Sequence, residues 1–145
     1  MNPSSNPSPA ESPETQLTPG SWLDRYELLA PVATGGFGSV WLARLKGKRG
    51  FEKLVAIKVP KLNGDVSFQE MLLDEARIAS SIEHDNVAKI IELGEQGEIL
   101  FIVMEWIDGE PVSTLLRALD RTKTRFPLPI ALKIISDMCS ASHAA

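Results

Sequence analysis

Cysteine is almost missing from this 145-residue chain: Cys139 stands alone. No intramolecular disulfide can form, and a reducing compartment is expected. Histidine is nearly as scarce, with only His84 and His143, so no metal-binding cluster can be argued from the sequence. Long apolar runs are absent too. The longest wholly apolar one, Ile99 to Met104, is far short of the ~20 residues that cross a bilayer, and no basic-then-apolar leader opens the chain. A formal net charge of −4 lacks the positive excess that nucleic acid attracts. The expectation is a soluble, cytoplasmic protein with no nucleic-acid partner and no membrane segment.

Large apolar residues are also scarce in the first 20 positions, which hold five of the ten prolines and four serines. Such a segment cannot bury enough surface to offset its ordering entropy. Residues 1–21 therefore read as a disordered, Pro/Ser-rich tail. Its Ser-Pro and Asn-Pro steps suit a solvated leader, and less often a polyproline-binding partner or phosphorylation. The chain as a whole is 43% hydrophobic and long enough for one core.

What is present centres on residues 32–58. Val32-Ala33-Thr34-Gly35-Gly36-Phe37-Gly38-Ser39-Val40 is a glycine-rich turn between two strand-like runs, 26–34 and 39–45. Closely spaced glycines leave backbone N–H groups uncovered, so such a turn can lie on a polyphosphate. Pro31 suits an edge strand or a bulge. Residues 46–53 form a basic hairpin connection carrying Lys46, Lys48, Arg49 and Lys53, and residues 54–59 a third strand. Its alternation puts Val55, Ile57 and Val59 on one face and Ala56 and Lys58 on the other. No Gly-Lys-Ser/Thr follows the glycines, which excludes a P-loop. A dinucleotide fold is disfavoured because the glycines join two strands instead of opening a helix.

Val55-Ala56-Ile57-Lys58 and the glycine run resemble the protein kinases, whose glycine loop reads G-x-G-x-x-G-x-V. Here Ala33, Gly35 and Gly38 take the glycine positions and Val40 closes the pattern, with Ala33 the departure. If that position needs positive φ, alanine costs roughly 1 kcal/mol or more; in extended strand the cost is small. The resemblance implies that Lys58 pairs with nucleotide phosphates.

Ser67 and Glu70 have capping-box spacing, so a helix is expected over 68–82. Its Phe68, Met71, Leu72, Ile78, Ala79 and Ile82 fall in one arc about 120° wide, with Glu75 near the middle. A carboxylate there needs a cation, for which Lys58 and Arg77 are candidates. The resemblance selects Lys58, since a kinase helix glutamate pairs with the strand lysine. His84-Asp85-Asn86-Val87 resembles the His-Pro-Asn turn that follows that helix, which makes His84 a structural hydrogen bonder. Residues 87–93 and 99–104 read as two further strands joined through Gly94-Glu95-Gln96-Gly97.

Met104-Glu105-Trp106-Ile107-Asp108-Gly109 resembles the kinase hinge. The resemblance implies that Met104 borders the pocket, that Glu105 offers its carbonyl and Ile107 its amide and carbonyl to adenine, and that Val32, Val40 and Ala56 sandwich the base. A short helix over 112–119, a basic loop over 121–125 and a longer helix from Pro129 follow. The expected fold is α+β: a five-stranded antiparallel sheet with one main helix over 22–104 (a kinase-like, ATP-binding small lobe), then the hinge and incomplete start of a helical lobe over 105–145.

The family's His-Arg-Asp loop and Asp-Phe-Gly triplet do not occur in these residues. The resemblance thus implies a serine/threonine kinase fragment that binds ATP, with Lys58 and Glu75 as its catalytic pair and Val32, Ala33, Gly35, Gly36, Phe37, Gly38, Val40, Ala56, Met104, Glu105 and Ile107 against the nucleotide. The complete parent would use Mg2+, whose ligands are absent here, to pass the γ-phosphate to a protein substrate; the 145 residues alone are expected to be inactive. Two other readings stay open: a non-catalytic nucleotide-binding regulatory module and a protein-interaction fragment.

Overall fold

The computed structural model describes residues 17–36, 38–61, 73–74 and 76–144. A six-stranded antiparallel sheet organises it, in the order β1-β2-β3-β4-β6-β5. The strands are β1 (Trp22–Leu23), β2 (Tyr26–Gly35), β3 (Gly38–Lys46), β4 (Glu52–Pro60), β5 (Ile90–Gln96) and β6 (Ile99–Glu105). Residues 73–74 and 76–80 belong to a helix, α1. Two more helices follow, α2 (Val112–Thr122) and α3 (Leu128–Ala144).

One sheet face carries the main core. Trp41 and Ala43 from β3, Val55 and Ile57 from β4, and Phe101 and Val103 from β6 meet Leu23, Tyr26 and Leu28 there. The alternation expected in β3 and β4 is thus realised. Tyr26 and Phe101 are fully buried and meet edge to face, with ring centroids 6.4 Å apart. Burial of this kind is worth roughly 1.5–3 kcal/mol per large apolar side chain. It also pushes the Tyr26 hydroxyl above its ordinary pKa of 10, partly opposed by the Arg25 guanidinium.

The sheet curls until its two edges meet. Gln96 on β5 accepts from the Asp24 N–H and donates to the Trp22 carbonyl, and Arg25 forms an ion pair with Glu92. These contacts join the β1–β2 turn to the far edge of the sheet, a closure that alternation alone does not foretell.

Several expected boundaries move. Trp22 and Leu23 pair with Glu27 and Tyr26, which makes the sheet six-stranded instead of five-stranded. Residues 1–16 of the expected tail lie outside the described residues. Residues 17–21 are tied to the sheet: Leu17 packs on the core, Gly20 N–H donates to the Leu28 carbonyl, and Leu28 N–H donates to the Ser21 carbonyl. The β5–β6 turn is only Gly97-Glu98, since Gln96 pairs with Ile99. Gly97 takes φ 62, the left-handed conformation a tight hairpin asks of its first central residue. Gly94 lies under Phe101, where a Cβ would come within 2.2 Å of the ring.

The expected start of the helix over 68–82 lies outside the described residues, and its end is at residue 80, before Ile82. Its inward side is centred on Ala76, 5% exposed, whereas Ile78 is 66% exposed. Among its described residues Leu73, Ala76 and Ala79 are the least exposed, and the direction they share lies about 100° round the helix from the centre of the predicted arc. Helix α2 runs three residues past its expected end, and Arg121 belongs to it, not to a loop. Lys123 closes it at φ 51, and its N–H and that of Thr124 reach the last-turn carbonyls of Asp120 and Leu119.

Candidate functional site

The sheet face opposite the main core positions most of the site. Antiparallel register places Val40, Lys58 and Ile102 in one cross-strand row and Leu42, Ala56 and Met104 in the next. Both rows share a face because each strand advances by two residues between them. Ala56 is nearly buried at 7% exposed, which gives a flat, small-residue floor beside the half-buried Lys58. Helix α1 covers the same face: Ala76 and Ile102 form its small core, with Ile90, Leu100 and Met104 packed against them.

Lys58 has no ion pair or side-chain hydrogen bond among the described residues. An ammonium held between Val40 and Ile102 is partly desolvated, so an anionic partner would be favoured there. Glu75 lies outside the described residues. Its neighbour Ala76 sits on the Lys58 side of the sheet, not behind it.

The glycine turn ends the hairpin that carries this row. Gly35 pairs with Gly38, and Gly38 with Pro60, two residues beyond the Val40–Lys58 row, or roughly 7 Å along the strand. Gly38 adopts φ 126, and a Cβ there would meet the Val59 carbonyl oxygen at 2.2 Å. That glycine is required by the closeness of β3 to β4. Gly35 and Gly36 differ: neither has positive φ, and a Cβ on either would touch nothing within 4 Å among the described residues. Phe37, between them and Gly38, lies outside the described residues. Ala33 is extended strand paired with Val40, so the departure from glycine carries no left-handed strain. Val32 falls where the β2–β3 register shifts between Pro31 and Ala33 and is 52% exposed.

At the other end of the face, β6 runs out into residues 106–111. Met104 continues the Ala56 row. Glu105 is pinned twice: its N–H donates to the Lys89 carbonyl at 2.9 Å, and its carboxylate accepts the Lys89 N–H at 2.8 Å. This locking role was not legible in the sequence, where no spacing marks it. Ile107 is 59% exposed, and among the described residues its amide and carbonyl make no backbone hydrogen bond.

A second set of polar contacts joins the turn after α1 to α3. Asn86 N–H donates to His84 Nδ1 at 3.1 Å, which leaves the neutral ring's proton on Nε2 to donate to Ser140 Oγ at 3.0 Å. The Asn86 amide donates to the Asp137 carbonyl at 3.3 Å. His84 is the structural hydrogen bonder the sequence suggested. Helix α3 otherwise presents Leu128, Leu132, Ile135 and Met138 to solvent, each more than half exposed.

Comparison with known proteins agrees with this arrangement. The family model for protein tyrosine and serine/threonine kinases matches residues 26–143. The tyrosine-protein kinase MasK of Myxococcus xanthus is 39% identical over 122 residues, 83% of this chain and 19% of that protein. The serine/threonine-protein kinase PknA of Mycobacterium tuberculosis is 33% identical over 128 residues, 83% of this chain and 29% of that protein. PrkC of Bacillus subtilis is 31% identical over 119 residues, covering 81% and 18%. The chain thus spans less than a third of the curated relatives it matches. Among solved structures, a kinase domain of Mycobacterium tuberculosis PknI superposes with a TM-score of 0.72 at 22% identity, over 88% of this chain and 51% of that one. The curled sheet with α1 on its lysine face is the small lobe of that fold, and the chain belongs to the protein tyrosine and serine/threonine kinase family.

Proposed function

We propose that this chain is the nucleotide-binding part of a serine/threonine protein kinase and works in the cytoplasm, where ATP is available. The observation that carries the reading is the pair of rows Val40–Lys58–Ile102 and Leu42–Ala56–Met104, which puts a cation and a small floor between a glycine turn and an open strand end. Adenine fits against Ala56, Val40 and Val32, with the Glu105 carbonyl and the unpaired main chain of Ile107 at its edge. The phosphates fit beneath Gly35, Gly36, Phe37 and Gly38, whose N–H groups supply donors, and beside Lys58. Glu75 is the carboxylate that would hold Lys58 in place. ATP, when bound, supplies the phosphoryl group; the protein's residues bind and orient it.

Among the described residues no group of three or more His, Cys, Asp or Glu side chains is placed to hold an ion, so no step through Mg2+ is assigned to them. With neither His-Arg-Asp nor Asp-Phe-Gly in the sequence, the 145 residues are proposed to bind ATP without transferring its phosphate. Transfer to protein serine or threonine belongs to a complete kinase domain.

Calorimetric titration with ATP tests the binding. A charge-assisted contact is worth ~1.5–3 kcal/mol, so Lys58→Ala should weaken ATP by roughly 10- to 150-fold while the fold persists. Equal affinity in the folded variant would refute the site. Radiolabelled ATP with a generic protein substrate tests the rest: incorporation by the purified chain, lost in Lys58→Ala, would show that these residues suffice for catalysis.

A further inference from the structure

The tip of the β3–β4 hairpin is not used by the nucleotide reading. Register shows that it stands clear of the sheet: β2 begins at Tyr26 opposite Leu45, and β6 ends at Glu105 opposite Val55. Residues 46–52 therefore have no strand on either side of their own hairpin. Lys48, Arg49 and Lys53 make no ion pair among the described residues, whereas Arg44 and Lys46 behind them are engaged with Glu27 and Glu52. Three uncompensated cations are thus gathered at one end of a molecule whose net charge is −4. Phe51 stands among them, 56% exposed, and Leu54 and Trp22 follow at 45% each on the flank. Arg49 is held at φ 59 and ψ 33, a conformation its side chain disfavours, and is presented at the apex.

We propose that this tip is a docking site for an anionic lipid surface. Basic side chains around an exposed aromatic match the headgroup layer, where the charges meet lipid phosphates and Phe51 enters the acyl boundary. An inorganic polyphosphate or other soluble polyanion without a stacking face would use the cations and leave Phe51 idle, and the net charge of −4 disfavours nucleic acid. None of the described helices is long and apolar enough to cross a bilayer. The nine residues of β3 separate the tip from the glycine turn by roughly 27 Å, so docking leaves the nucleotide face open.

Flotation of the full chain with phosphatidylcholine vesicles, with and without phosphatidylglycerol, tests the proposal and excludes aggregates, which sink. Flotation is expected only with the anionic vesicles and should fall as salt rises. Each lost cation should weaken binding about fivefold, so Lys48→Glu with Arg49→Asn should reduce it tenfold or more; asparagine tolerates the Arg49 backbone. Phe51→Ser should weaken it with the salt dependence intact. ATP binding and the thermal melt should be unchanged in these variants. Absence of flotation with anionic vesicles, equal flotation with neutral ones, or anionic binding indifferent to Phe51→Ser would overturn the proposal, the last pointing to a soluble polyanion.

Discussion

The three glycines of the loop, Gly35, Gly36 and Gly38, look alike in the sequence and differ in the structure. Gly38 needs its missing Cβ because the Val59 carbonyl occupies that space and because its φ is 126. Alanine there should cost roughly 2–4 kcal/mol, from left-handed strain and overpacking together. Gly36 meets no such obstacle among the described residues. Gly36→Ala should leave the thermal midpoint nearly unchanged while weakening ATP, if the turn lies on phosphate. Melting curves with and without ATP for both variants check this; equal destabilisation would mean that Gly36 also serves the fold. The residue scale was therefore only partly legible. The sequence marks the glycines, but which neighbour approaches each one depends on β4, whose register no local pattern specifies.

At the scale of elements, charge joins strands that packing alone would leave open at one end. Glu27 on β2 lies 2.8 Å from the Lys46 ammonium and 3.3 Å from the Arg44 guanidinium on β3, and Arg44 also reaches Glu52 on β4. The Lys46 contact, reinforced by Arg44 and only partly opposed by desolvation, holds the Glu27 carboxyl below its ordinary value of 4.5. A depressed carboxylate stabilises the fold above its ordinary value, and that contribution is lost as pH falls from about 4.5 through the folded-state value. Glu27→Gln should accordingly lower the denaturation midpoint at neutral pH and cost nothing once the acid is protonated. A cost that stays constant from neutral to strongly acidic pH would remove this cluster from the acid transition. The strands themselves were the most legible elements, because the alternation in 39–45 and 54–59 follows their two faces. The α1 arc was less so: apolar spacing admits neighbouring directions round a helix, and burial at Ala76 decides between them.

Seen whole, the molecule has one closed region and one bare one. The sheet edges are drawn together by Gln96 with Asp24 and Trp22 and by Arg25 with Glu92, contacts separated by about seventy residues along the chain. Gln96→Ala removes two of these bonds and should cost ~1–2 kcal/mol, with faster amide exchange at β1 and β5 before β3 and β4. Uniform exchange in all six strands would show that closure is held by the core alone. Such long-range pairing is invisible to local periodicity, whereas the family resemblance already implied the lobe that contains it.

Pro31 adds a consequence of its own. Beyond Leu28 the outer side of β2 has no neighbouring strand among the described residues, and a passing peptide would find there a row of unpaired amides and carbonyls. Proline removes a donor from that row, and the register shifts on either side of it skew the remainder. The flank of the glycine hairpin is thereby made a poor template for strand-by-strand polymerisation, and the loop can stay thin and uncovered without seeding fibres.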